Sequence, residues 1–197
     1  MGTVEFDLIY EAIRGRRTAR NFDERAIPNA TIERMIGAAV CAPNHRLTEP
    51  WRFFVLEKGG TIRASVADLV YDWTLDNALN PNPVTRKRSA EGAHKGILSD
   101  PVLIYIYSIS GPNDEVTTEN YAATCCAVQN FSLAAYAEGV AVGWSTGKST
   151  RPEGLSKLLG AEENWTMVGA LSVGYPADVA STRSKELNTQ VVATWLR

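Results

Sequence analysis

TENYAATCCAVQNFSLAAYAE, residues 118–138, is followed by Gly139. Alanine is the strongest helix former, and no proline or glycine interrupts the run. The glycine after it is the usual helix stop. The spacing predicts one long helix that is nearly wholly apolar. Such a helix must be buried on most sides, in a core or against a second subunit.

The segments around it set the fold class. Residues 102–109 are apolar on both faces and read as a central strand. Residues 52–57 (closed by Gly59 and Gly60), 140–144 and 166–173 (stopped by Gly174, Tyr175 and Pro176) read as further strands. Helical spacing covers 6–14, ended by Gly15. It recurs at Ile32, Met35, Ile36, Ala39 and Val40, with Asn29 or Thr31 as the cap and Pro43 and Asn44 as the end. It recurs again over 62–73, until Asn80 to Pro83 breaks it, and in a short helix over 152–159. Arg86, Lys87 and Arg88 read as a basic run in a polar segment. Helices and strands mix without regular βαβ repeats, which gives an α+β fold with a few-stranded sheet between helices. No Gly-x-Gly-x-x-Gly follows the first strand, which argues against a Rossmann domain.

The 197 residues, 45% apolar and 21% charged, suit a single domain, 1–197. A net charge of -2 argues against bulk binding of nucleic acid or anionic membrane. No apolar run is long enough to span a bilayer, and Glu5 and Asp7 break any signal-peptide layout, so a cytoplasmic location is expected. Cys125 and Cys126 read as small core filling. With only His45 and His94 as imidazoles, no metal-ligand spacing appears and no metal is expected.

Two clusters carry chemistry. Arg14, Arg16, Arg17 and Arg20 with Thr18 put four guanidiniums and a hydroxyl just after a helix. A guanidinium fork matches phosphate bidentately, although such a run can equally be a solvated basic turn. The second cluster is a polar loop holding Pro43, Asn44, His45, Leu47 and Thr48. It enters an aromatic strand through Glu49, Pro50 and Trp51, a usual setting for binding residues.

Arg16-Arg17-Thr18-x-Arg20-x-Phe22, followed by Ala42-Pro43-Asn44-His45 and then Glu49-Pro50-Trp51-x-Phe53-Phe54-Val55, resembles the FMN-dependent nitroreductase family, nearest its small bacterial branch. Three later stretches match in order: the Ala-rich helix with Gln129-Asn130, the segment Gly139 to Trp144, and the turn Val173-Gly174-Tyr175-Pro176. The chain departs from the family pattern with Thr18 for the commoner Ser, Glu49 for Gln, and a loosely matched basic pair near the C-terminus.

The resemblance implies a mostly antiparallel sheet flanked by helices and an intertwined homodimer with FMN between subunits. Arg16, Arg17 and Thr18 would hold the FMN phosphate and ribityl chain, with Arg183 and Lys185 completing that site. Arg20 would sit at the pyrimidine edge, where a cation stabilises the reduced flavin's negative charge. Pro43, Asn44, His45 and Leu47 would reach the flavin from the other subunit. Trp144, Ser145 and Thr146 would pass under the ring. The segment near 71–95 would cover the flavin and vary with substrate.

The activity implied is a ping-pong oxidoreductase. NADH or NADPH gives a hydride to FMN, then a nitroaromatic, quinone or activated alkene takes the electrons. No catalytic side chain is required. His45 could donate a proton, but a structural or flavin-contacting role is favoured, because geometry must come before pKa. The rivals are oxidative or O2-dependent chemistry on the same fold and a flavin-binding protein without turnover.

Overall fold

The computed structural model describes residues 6–177 and 193–196. The elements in order are α1 (Phe6–Gly15), α2 (Asn29–Ala39), β1 (Trp51–Glu57), α3 (Thr61–Asp76), α4 (Pro83–Ser99), β2 (Val102–Ser108), α5 (Asp114–Ala137), β3 (Ala141–Ser145), a 3-10 turn (Lys148–Thr150), α6 (Leu155–Leu159) and β4 (Thr166–Gly174). The strands form one antiparallel sheet in the order β1-β2-β4-β3. The expected α+β class with a few-stranded antiparallel sheet between helices is what the chain adopts.

β2 is buried along its whole length. Its Val102, Ile104 and Ile106 pack with residues of α2 and α5, while Leu103, Tyr105 and Tyr107 pack with α3 and Leu155 of α6. The two-residue period of a strand thus feeds two separate apolar layers. Burial pushes the phenol pKa of Tyr105 and of Tyr107 up.

Three local readings are corrected. Neither Asn29 nor Thr31 caps α2. Pro28 holds the cap position without a side-chain bond, and its carbonyl accepts from the amides of Thr31 and Ile32. The basic run at 86–88, read from sequence only as part of a polar segment, lies inside a helix, α4. Asn82 caps that helix through its Oδ1, 2.9 Å from the Val84 amide, and Pro83 begins it. Only Ala90 and Ile97 of α4 are buried, so the apolar stripe that marks most helices is nearly absent. Residues 71–95 are therefore the end of α3, an Asn-Pro turn and most of α4. Arg86 ties the hairpin by donating to the Leu75 carbonyl at 2.6 Å.

The third correction concerns α5. It starts at Asp114, a turn earlier than the apolar run, because Asn113 caps it and Asp114 and Glu115 favour the positive end of the helix. One face, including Ala127, Val128, Phe131 and Ala135, is buried in the α2–α5 layer. Tyr121, Ala122, Cys126, Gln129 and Tyr136 are exposed, so the rest of the chain covers only part of the helix. Cys125 packs at the edge of the core, but Cys126 fills none of it.

Arg63 is 1% exposed. Its guanidinium donates to the carbonyls of Ile97 (2.7 Å), Leu56 (3.2 Å) and Asp100. It thereby closes the open carbonyls at the end of α4 and joins α3 to β1. Burial lowers its pKa and raises that of Asp100. Arg63→Ala should cost about 3–5 kcal/mol in urea unfolding, since it leaves three carbonyls without their donor and a void. Arg63→Lys should recover only part of that, because one ammonium cannot reproduce a three-way fork.

Candidate functional site

The arginine segment is held against the sheet by two glycines. The Ala19 amide donates to the Val142 carbonyl at 3.2 Å, and Thr18 bridges Val142 of β3. Gly143 has no side chain, and a Cβ there would collide with the Ala19 carbonyl oxygen. At Gly174 a Cβ would lie 2.7 Å from the Phe22 ring. Residues 18–22 therefore follow the β3–β4 edge. Arg16 and Arg17 are half-buried, and Thr18 and Arg20 are exposed. Arg17 is turned back onto the carbonyls of Arg14 and Arg16. Among the described residues, the guanidiniums of Arg16 and Arg20 make no hydrogen bond or ion pair.

β3 ends at Trp144 and Ser145. The Trp144 Nε1 donates to the Val168 carbonyl at 3.3 Å, where β4 bulges opposite Ile106 and Tyr107. The indole passes over Gly169, which a Cβ would block. The turn beyond β3 is fixed from below. The buried Tyr105 hydroxyl donates to the Ser149 carbonyl at 2.9 Å, and Ser145 Oγ accepts from the Gly147 amide at 3.3 Å. Trp144 is 41% exposed, and Thr146 is exposed.

The loop over residues 43–49 stands elsewhere, against the start of α5. Glu119 takes His45 Nδ1 at 3.1 Å and Arg46 Nε at 3.1 Å. The Arg46 hydrogen bond chiefly holds the Glu119 carboxyl below its ordinary pKa, and His45 adds to it. Asn44 Oδ1 accepts from the Thr48 amide, and Thr48 Oγ1 reaches Asn120 Oδ1 at 2.7 Å. Pro43, His45 and Leu47 are exposed.

These placements divide the expected site in two. Gly15, which leads into the arginine segment, packs on Tyr136 near the end of α5. His45 pairs with Glu119 near its start. About 25 Å of helix separates the two contacts, at 1.5 Å per residue. The structure brings Arg16, Arg17, Thr18 and Arg20 to the strand that carries Trp144 and Ser145, with Thr146 just beyond. It does not bring Pro43, Asn44, His45 or Leu47 to the arginine segment. Arg183 and Lys185 lie outside the described residues.

The family model for the nitroreductase family matches residues 13–175. The chain belongs to that family. YfhC of Bacillus subtilis strain 168, which carries an NAD(P)H nitroreductase name, is 24% identical over 181 residues, 92% of this chain and 91% of its own. An iodotyrosine deiodinase of Drosophila melanogaster is 32% identical over 182 residues, 86% of this chain and 63% of its own. The crystal structure of the FMN-dependent nitroreductase NfnB of Mycobacterium smegmatis in complex with NADPH superposes with a TM-score of 0.75 at 18% identity, covering 97% of this chain and 99% of that one. That likeness concerns the fold.

Some residues that shape the candidate site were not singled out from sequence. Glu119 and Asn120 sit in the alanine-rich run, where a polar residue on a helix reads as solvated surface. Tyr105 reads as core, and Gly143 as part of a strand. Their partners are distant in the chain, so no spacing announces them. A cavity of 640 Å³ beside β1, lined by Phe53, Val55, Ile62, Lys157 and Leu158 among others, includes none of the expected site residues.

Gly143→Ala should lower stability by about 1–3 kcal/mol in urea unfolding, because the new methyl forces Ala19 off β3. Gly37→Ala, where a Cβ meets open space in α2, should instead be stabilising by about 0.5–1 kcal/mol.

Proposed function

We propose that this protein is an FMN-dependent oxidoreductase that uses NADH or NADPH to reduce electron-poor acceptors, and that it works as a homodimer. The observation that carries the reading is the pair of uncommitted guanidiniums, Arg16 and Arg20, on a segment fixed beside the strand that ends at Trp144 and Ser145. The donor set fits FMN. It offers charge-assisted donors for a phosphate, a hydroxyl at Thr18 and an exposed indole beside backbone amides. The family match and the FMN and NADPH in the name of the NfnB structure support the same cofactors.

Bound FMN would supply the two-electron chemistry, taking electrons from the reduced nicotinamide and passing them to the acceptor. Arg16 and Thr18 would bind the phosphate end. Arg17 would join them only by giving up its contacts with the Arg14 and Arg16 carbonyls. Arg20 would set positive charge where the reduced ring is negative, and Trp144 to Thr146 would form the floor of the ring site. His45 is engaged by Glu119, which favours a structural role over proton donation.

Two features support the dimer. The uncovered face of α5 carries Tyr121, Ala122, Cys126 and Tyr136, an apolar surface of the kind that marks an interface. About 25 Å of α5 separates the contact of the loop at 43–49 from that of the arginine segment, which favours a second copy as the source of the loop. The 32% identity to an iodotyrosine deiodinase favours a second reading of the acceptor, a haloaromatic in place of a nitroaromatic or quinone. Iodide release from an iodophenol under reducing conditions separates the two.

The purified protein should show flavin absorption bands, release FMN on denaturation, and bleach anaerobically with NADH or NADPH. A colourless protein that also fails to bind added FMN would refute the reading. Arg16→Ala should weaken FMN binding by about tenfold or more, the loss of one charge-assisted phosphate contact. Unchanged affinity would place the phosphate elsewhere.

A further inference from the structure

We propose that Thr48 and Asn120 are positioning residues that hold the loop at 43–49 in the strained shape from which it meets the flavin of the other subunit. This rests on the dimeric FMN site proposed above. Leu47 and Glu49 have φ values of 52° and 46°, both in the left-handed region that non-glycine residues avoid. Thr48 lies between them. Strain of this kind persists only where the surroundings over-determine it, and it clusters at ligand clamps.

The determinants are all polar. The Thr48 amide donates to Asn44 Oδ1 at 3.2 Å. The Thr48 hydroxyl lies 2.7 Å from Asn120 Oδ1 and 3.1 Å from Asn44 Oδ1, and its single proton goes to the nearer oxygen. Asn120 is 3% exposed, and its amide nitrogen donates to the Ile109 carbonyl at 3.1 Å, which turns its oxygen to Thr48. The Ile109 amide in turn donates to the Pro50 carbonyl at 2.8 Å. The strap therefore fastens the middle of the strained stretch, at Thr48, to α5 and the residue after it, Pro50, to the chain just beyond β2.

Packing does not explain the shape. Leu47, at the tip, is 84% exposed, so the strained backbone presents an apolar side chain to solvent within its own subunit. The strap is anchored on α5 just beside Tyr121 and Ala122 of the uncovered face. A loop held rigid, strained and outward at the edge of an interface is shaped for a contact on the second copy. Preorganisation of this kind raises affinity by removing the ordering cost on binding.

The test is Thr48→Val, which keeps the shape of the side chain and removes the hydroxyl, with Thr48→Ser as the variant that keeps it. FMN affinity is read by quenching of flavin fluorescence, and stability by the urea midpoint. The expected result for Thr48→Val is an FMN dissociation constant raised about tenfold, with a urea midpoint lowered by no more than the loss of one part-buried hydrogen bond allows. Thr48→Ser should bind as the parent does. Asn120→Ser should weaken FMN at least as much, because it also removes the bond to the Ile109 carbonyl, and the double variant should be no worse than Asn120→Ser alone.

Subunit exchange adds a separate readout. Neither Arg16→Ala nor Thr48→Val homodimers have an intact site, but a mixed dimer of the two has one if the strapped loop serves its partner. Recovery of tight FMN binding to about one site per mixed dimer is expected. Parent-like FMN affinity in Thr48→Val, or no recovery on mixing, would overturn the proposal. A parent protein that binds no FMN would overturn it together with the functional reading beneath it.

Discussion

Strand β2 is buried on both faces along all of Val102–Ser108, and that burial obliges the rest of the chain to supply two covering layers. The α3–α4 hairpin and α6 cover one face, and α2 with α5 covers the other. Parallel βαβ folds solve the same problem with regular crossovers. Here the strands are antiparallel, and the covering helices come in pairs of opposite character. α5 is alanine-rich, buried on one face and bears exposed apolar side chains on another, while α4 is polar nearly all round and is held by its cap, Arg86 and Arg63. One consequence is that α5 leaves Tyr121, Ala122, Cys126 and Tyr136 exposed.

α5 also acts as a spacer. The arginine segment meets it at Tyr136 and the loop at 43–49 meets it at Glu119 and Asn120, so its length sets the distance between the two halves of the proposed site. The same helix would present the interface, order the loop and separate the halves, which makes flavin binding and assembly one problem. A subunit folded by itself would hold both halves and still lack a complete site.

The arginines show how context divides one residue type into different roles. Arg63 is buried and fully engaged with three carbonyls, so it cements β1, α3 and α4. Arg34 is bidentate to Glu138, at 2.7 and 2.8 Å, and pins α2 to the end of α5. Both are structural. Arg16 and Arg20 have no such partner among the described residues, and the backbone around them is fixed by Gly143 and Gly174 instead. A cation whose backbone is placed while its head group is left uncommitted is what an anionic cofactor requires.

The sequence by itself determined the α+β class, the four strands, the central place of residues 102–109, the alanine-rich helix and the family. Each of these rests on local composition or on the order of motifs along the chain. It missed α4, because a helix held by a cap and by distant arginines shows almost no apolar period. It also placed the start of α5 too late, because Asn113 to Thr117 read as polar while acting as cap and first turn. The tertiary structure alone decided which residues meet. Gly143 is ordinary in a strand until Ala19 lies on it, Asn120 is an ordinary helix residue until Thr48 reaches it, and the separation of the two site halves exists only once α5 lies between them. Spacing along a chain encodes local geometry, whereas contacts between distant segments depend on packing, which no local pattern records.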